Sequence, residues 1–191
     1  MELPPDLFRA RERALEAAFF LKRDAELLAR LRSQLAEMEE REKVAHVSGI
    51  LDEHVLLDLV RAGVTAETLL AMRFLPMVAV AWSDDLVSAD ERAAILKSVE
   101  AENIAPGSPA YQLLRDWLKH RPDEAVIVAW KEYIRELARI MPAESLEKLR
   151  QRTESLCYQV ARASGGFLGI GSVSHAEQTA IEEFVNSWKS T

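Results

Sequence analysis

Apolar residues recur at helical spacing along most of the chain, beginning with its N-terminal segment. From Pro5 to about His46 there is no glycine and no further proline. The apolar positions there follow steps of three and four residues: Leu21, Ala25, Leu28, Leu31, Leu35 and Met38. This stripe predicts one long amphipathic helix or a close pair of helices, which Gly49 would end. We therefore expect an N-terminal helical unit over 1–50 and a second domain over 51–191.

The remaining chain predicts a series of shorter helices. Asp52 is placed to cap a helix through Val60, and Thr65 to cap the next. Pro76 would restart a helix that is apolar all round, which is typical of a buried central helix. Later helices are expected from Ala89, Pro109, Pro122–Glu124 and Pro142, and a last helix follows the stretch Val173–Glu177. No segment alternates as a strand does, so the sequence predicts an all-α, compact multi-helix bundle.

Two short stretches share one frame. Ser83–Glu91 reads SDDLVSADE, Gly169–Glu177 reads GIGSVSHAE, and both contain VSxxE. A serine followed three residues later by glutamate is a capping box, in which each side chain bonds the other residue's backbone N–H. The boxes predicted here pair Ser88 with Glu91 and Ser174 with Glu177. Their repetition predicts two related helix-loop-helix units.

The two loops differ in length and charge. The first reaches its serine 7 residues after Ala81, and the second reaches its serine 13 residues after Ala161. Helix, a turn of the form (A/S)DGxVSxxE, then helix, used twice, resembles the TerB-like family associated with tellurite resistance. Its relatives include the N-terminal domain of the membrane-anchored co-chaperone DjlA. The resemblance covers about residues 65–188.

The TerB-like resemblance implies a compact bundle of about seven helices and a stress-related or regulatory role. It also implies a divalent metal ion at the acidic turn, with Asp84, Asp85 and Glu91 as oxygen ligands. The sequence departs from the family frame at Asp85, where glycine is usual, and the second loop has no carboxylate between Ala161 and Val173. The spacing also differs from that of an EF-hand loop, so a purely structural turn stays open as the alternative.

The second loop, ASGGFLGIGS, combines glycines with three large apolar residues, Phe167, Leu168 and Ile170. Glycine allows sharp turns between helices. The apolar residues would either fold back onto the core or contact a partner or the surface of a membrane. A phosphate site is disfavoured because the loop has no P-loop lysine and no preceding strand.

Charge and cysteine content narrow the function classes. A net charge of −7 disfavours nucleic-acid binding, which depends on clustered Lys and Arg. A single cysteine, Cys157, excludes an intrachain disulfide and suits a cytoplasmic location. The longest apolar run, from Phe74 to Trp82, falls short of the roughly 20 residues that a transmembrane helix needs. The start of the sequence also lacks the apolar core of a secretory signal.

The chain carries no recognisable catalytic set. GxSxG and HExxH motifs are absent, and Cys157 lies within an apolar helical pattern that predicts a buried, inert thiol. We therefore expect a non-enzymatic protein-interaction or stress-response module, with an enzyme of unassigned reaction as an alternative.

The N-terminal helix supplies another alternative. Residues 11–32, RERALEAAFFLKRDAELLARLR, are similar to the opening of the zeta-type inhibitors of rotary ATP synthase, which insert a helix into their target. That similarity implies an inhibitor or adaptor that acts through this helix. The apolar stripe from Leu21 to Met38 must cover the bundle, pair with another copy in a homodimer, or bind a protein partner.

Overall fold

The computed structural model describes residues 5–163 and 173–188, and for residues 5–14, 16 and 17 it describes the backbone alone. Regular structure in these residues is entirely helical, without strands, which confirms the predicted all-α fold class. None of the described helices is long and apolar enough to cross a membrane. The helices are α1 Pro5–Ser48, α2 Glu53–Arg61, a 3₁₀ helix Leu69–Phe74, α3 Leu75–Ala81, α4 Ala89–Ala101, α5 Pro109–Trp117, α6 Glu124–Ile140, α7 Ala143–Ala163 and α8 His175–Ser187.

The chain divides into two units, Met1–Glu40 and Arg41–Thr191. The described residues of the first unit, 5–40, all belong to α1, which is a single helix rather than the pair of helices that the sequence left open. A single helix has no interior in which to bury apolar side chains. The large apolar side chains described in this unit are accordingly exposed, by 46% to 71% of their surface: Leu15, Phe19, Phe20, Leu21, Leu27, Leu28, Leu31, Leu35 and Met38.

The second unit is built around α3, as the sequence predicted. Six of its residues are buried, because the helix has no polar face to turn toward water. It packs against α4, α5, α7, α8 and the 3₁₀ helix, while α2 packs against α6. Helices from both halves of the second unit therefore enclose α3.

The last turns of α1 belong to the second unit. Val44 and Ile50 are fully buried in its core. Arg41 Nη1 lies 2.9 Å from Glu53 Oε2 at the start of α2. Gly49 ends α1 with φ of 74°, which glycine adopts without steric cost, and its N–H donates to Ala45 O at 2.9 Å. The boundary between the units thus lies between Glu40 and Arg41. It is about ten residues earlier than the end of the predicted 1–50 unit, because Val44 is a core residue of the second unit.

Local capping signals predicted most helix starts, but the cap predicted at Thr65 was wrong. Asp52 caps α2 by accepting from His54 N and Val55 N at 2.9 and 3.2 Å. Thr65, by contrast, does not cap an α-helix. Its N–H donates to Thr68 Oγ1 at 2.8 Å and its hydroxyl accepts from Thr68 N at 3.3 Å. These bonds close a local turn, a known competitor of helix initiation, and the 3₁₀ helix begins after it.

We predict that Val44→Ala lowers the free energy of unfolding by about 2 kcal/mol, because it leaves a cavity in the core. Val47, which is 58% exposed in the same part of α1, is the matched control. Val47→Ala should change stability by less than about 0.5 kcal/mol. Urea unfolding of both variants measures the difference, and equal effects would show that this part of α1 is not anchored in the core.

Candidate functional site

The first candidate turn joins α3 to α4 and carries two exposed carboxylates with different partners. Asp84 Oδ1 accepts from Leu86 N at 3.3 Å. Asp85 Oδ1 lies 2.7 Å from Arg121 Nη1. Asp85 also adopts φ of 67°, in the left-handed region that aspartate tolerates better than most residues. The side chains of this turn therefore serve its own conformation and one exposed ion pair.

Both predicted capping boxes are present. Ser88 Oγ accepts from Glu91 N at 3.2 Å, and Glu91 Oε2 accepts from Ser88 N at 2.8 Å. At the start of α8, Ser174 Oγ accepts from Glu177 N at 3.2 Å, and Glu177 Oε2 accepts from Ser174 N at 2.6 Å. Each box satisfies two backbone donors that the helix itself leaves without acceptors.

The two capping glutamates are buried near each other. Glu91 is 3% exposed and Glu177 is 6% exposed. Burial raises the pKa of Glu91 above its ordinary value of 4.5, the hydrogen bonds with Ser88 oppose this shift, and the charges of Asp84 and Glu177 add to it. The fold thus brings together two copies of the frame that are far apart in the sequence.

Asp84, Asp85 and Glu91 do not form a metal-ligating group. Asp85 pairs with Arg121, and the Glu91 carboxylate is engaged at the helix start. Within residues 5–163 and 173–188, no three His, Cys, Asp or Glu side chains are grouped so that they could hold a metal ion. Divalent cations such as Ca²⁺ need several oxygens converging on one point. The geometry of the first turn therefore does not fit the divalent ion that the TerB-like resemblance implies.

The apolar residues of the second loop, Phe167, Leu168 and Ile170, lie in 164–172, outside the described residues. Their two alternatives, burial against the core or contact with a partner or membrane, stay predictions.

Cys157 is buried in α7, as the sequence predicted. Burial, with a smaller contribution from the charge of Glu154, raises the pKa of its thiol to about 12. The thiolate, which is the nucleophilic form, is therefore scarce at neutral pH. Cys157 has the properties of a core residue rather than of a catalytic nucleophile.

A cavity of about 560 Å³ in the second unit was not predicted from the sequence. Helices α6 and α7 supply most of its walls. Helical spacing does place Trp130, Ile134 and Leu137 on one face of α6, but that spacing only predicts an apolar face. The other lining residues come from segments as distant as Arg73 and Trp188, so no local pattern identifies the cavity.

We predict that Glu91→Gln removes one contribution to the pH dependence of the free energy of unfolding. Because the pKa of Glu91 is raised on folding, the folded protein holds this proton more tightly than the unfolded chain. The contribution of Glu91 is then most favourable below pH 4.5 and declines as the pH rises through the raised pKa. The free energy of unfolding of the parent minus that of the variant should therefore decrease across this window. Chemical unfolding at a series of pH values measures this difference. The control for loss of charge is Asp90→Asn, which removes an exposed carboxylate from the same first turn of α4. A difference that rises with pH would contradict this assignment.

We also predict that divalent cations bind no more tightly than about millimolar at the first turn, because its oxygens do not converge. Calorimetric titration of metal-free protein with Ca²⁺, Mg²⁺, Mn²⁺ and Zn²⁺ measures the affinity, with Asp84→Asn as the matched variant. Binding tighter than millimolar that Asp84→Asn abolishes would contradict this prediction and would support the divalent ion that the resemblance implies.

No protein-family model, curated protein or solved structure matches this chain. The resemblances to TerB-like proteins and to zeta-type inhibitors therefore rest on the motifs of the sequence alone.

Proposed function

We propose that the protein is a non-enzymatic interaction module of TerB-like type that binds a protein partner through the first unit. The observation that carries this proposal is the apolar stripe on α1, formed by Leu21, Leu28, Leu31, Leu35 and Met38. The side chains of all five are about half exposed or more. Exposed apolar patches of this kind on soluble proteins mark interaction sites, because covering them removes apolar surface from water.

The shape of the stripe favours another helix or a helical groove as the partner surface. Leu28, Leu31, Leu35 and Met38 follow steps of three, four and three residues, which keep them on one side of an α-helix. An amphipathic helix of this kind binds by laying its apolar side chains into a hydrophobic groove. The opposite side of α1 carries Lys22 and Glu26, which are exposed and charged.

The candidate turns of the second unit support an interaction role over catalysis. Ser88, Glu91, Ser174 and Glu177 are engaged in capping boxes. A stress-response role is proposed from the TerB-like frame of these turns. The runner-up is an inhibitor or adaptor of the zeta type, which the same stripe would serve by inserting into a target enzyme.

The test uses full-length protein and two triple variants matched in the number of introduced glutamines. Leu28→Gln, Leu31→Gln and Leu35→Gln together remove the centre of the stripe. Lys22→Gln, Glu26→Gln and Ala29→Gln together alter the opposite side of α1 and leave the net charge unchanged. Since all six positions are exposed, neither variant should change the free energy of unfolding by more than about 1 kcal/mol.

We expect affinity capture with mass spectrometry to recover partner proteins with the parent and with the control variant, and to lose them with the stripe variant. Sedimentation of the purified parent separates this outcome from self-association, since a dimer that only the stripe variant dissociates would assign the stripe to a second copy. Capture of the same proteins by all three forms would contradict the proposal.

A further inference from the structure

The cavity of about 560 Å³ has the size and the lining of a small-molecule site. Ligand sites are typically clefts of about 300–1,000 Å³ with mainly apolar and aromatic walls and a few polar groups that orient the ligand. Here the apolar walls come from α6, α7 and the end of α8, and the polar groups lie on other segments. The apolar lining residues are Trp130, Tyr133, Ile134, Leu137, Met141, Leu149 and Trp188.

The charged residues of the cavity are mostly cations, although the protein as a whole has a net charge of −7. Arg73, Lys148 and Arg152 line it together with one carboxylate, that of Glu102, so three positive charges face one negative charge and the lining carries +2. Lys148 also pairs with Glu144, but both of these side chains are exposed, and such pairs contribute little. The net positive charge of the lining therefore favours an anionic ligand.

Two guanidinium groups at the cavity keep donors available. Among the described residues, Arg73 bonds only through Nη2, which lies 3.4 Å from Glu102 Oε2. Arg152 uses Nε and Nη2 on the other oxygen of the same carboxylate, at 3.3 and 3.2 Å. Close charge-assisted bonds of this type are about 2.7–2.9 Å long, so neither guanidinium is tightly bound. Their planar, forked donors match a carboxylate ligand.

Trp130 contributes its ring, and not its polar atom, to the wall of the cavity. The residue is 1% exposed, and its indole Nε1 has no hydrogen-bond partner within the described part of the chain. Because Nε1 is enclosed by the protein, it is out of reach of a ligand in the cavity. The apolar walls and the cations of the lining therefore carry the assignment of a ligand.

We propose that this cavity binds a small amphipathic carboxylate, whose apolar body packs against Trp130, Ile134 and Leu137 and whose carboxylate pairs with Arg73 and Arg152. An uncharged apolar ligand would leave the two guanidinium groups without any use in binding. A small hydrophilic anion would leave the apolar walls uncovered. The cavity is lined by residues of the second unit, whereas the stripe belongs to the first unit. The binding of a carboxylate can therefore be tested independently of the proposed function.

Decanoate, used below its micelle concentration, is the probe, and decan-1-ol is its uncharged counterpart. Isothermal calorimetry and tryptophan fluorescence on the full-length protein measure binding of both. We expect decanoate to bind at least about tenfold more tightly than decan-1-ol, because only the carboxylate can form charge-assisted hydrogen bonds with the two guanidinium groups. Equal affinities for the two probes, or no saturable binding of decanoate, would overturn the proposal.

Two substitutions at the cavity should act in opposite directions. Arg152→Gln should weaken decanoate binding about tenfold and leave decan-1-ol binding unchanged, which also shows that the cavity remains folded. Glu102→Gln should strengthen decanoate binding, because it removes a repelling carboxylate and releases both guanidinium groups. Arg162→Gln, on an exposed part of α7 away from the lining, is the control for loss of an arginine and should match the parent. If Arg152→Gln weakens both probes equally, or behaves as Arg162→Gln does, the carboxylate is not bound by Arg152 and the proposal is wrong.

Discussion

The need to bury α3 on every side governs the arrangement of the second unit. Residues Leu75–Val78, Val80 and Ala81 are all buried, so this short helix has no face that could stay in water. One neighbouring helix could cover only part of such a surface, and α4, α5, α7 and α8 all contact it. Most of the other helices can be amphipathic because α3 occupies the centre. In this arrangement the starts of α4 and α8, which carry Glu91 and Glu177, lie near each other.

That arrangement explains why two polar capping motifs tolerate burial. A carboxylate removed from water is costly unless it accepts hydrogen bonds. Glu91 and Glu177 each accept from the backbone N–H of the serine that begins their helix. The same bonds stabilise the starts of α4 and α8. Burial of the glutamates and capping of the helices are therefore two results of one geometry, which requires no chemical activity at the turns.

Sequence signals predicted the features that depend on neighbouring residues. The caps at Asp52, Ser88 and Ser174 are local, since donor and acceptor lie within three residues, and the structure contains them. Thr65 shows the limit of such signals, because its hydroxyl bonds within a turn that resembles a helix start in sequence. The proximity of Glu91 to Glu177 and the cavity beside Trp130 depend on contacts between distant segments. Periodicity along a single helix carries no information about which faces meet.

The left-handed backbone at Asp85 limits which residues this turn can accept. At φ of 67°, a β-branched side chain would be strained, whereas glycine, asparagine and aspartate fit at low cost. Aspartate in this position therefore keeps the backbone path that a glycine would give. Related chains with this turn should vary among those three residues at the position, so a search pattern that insists on glycine would miss proteins that share the same bend.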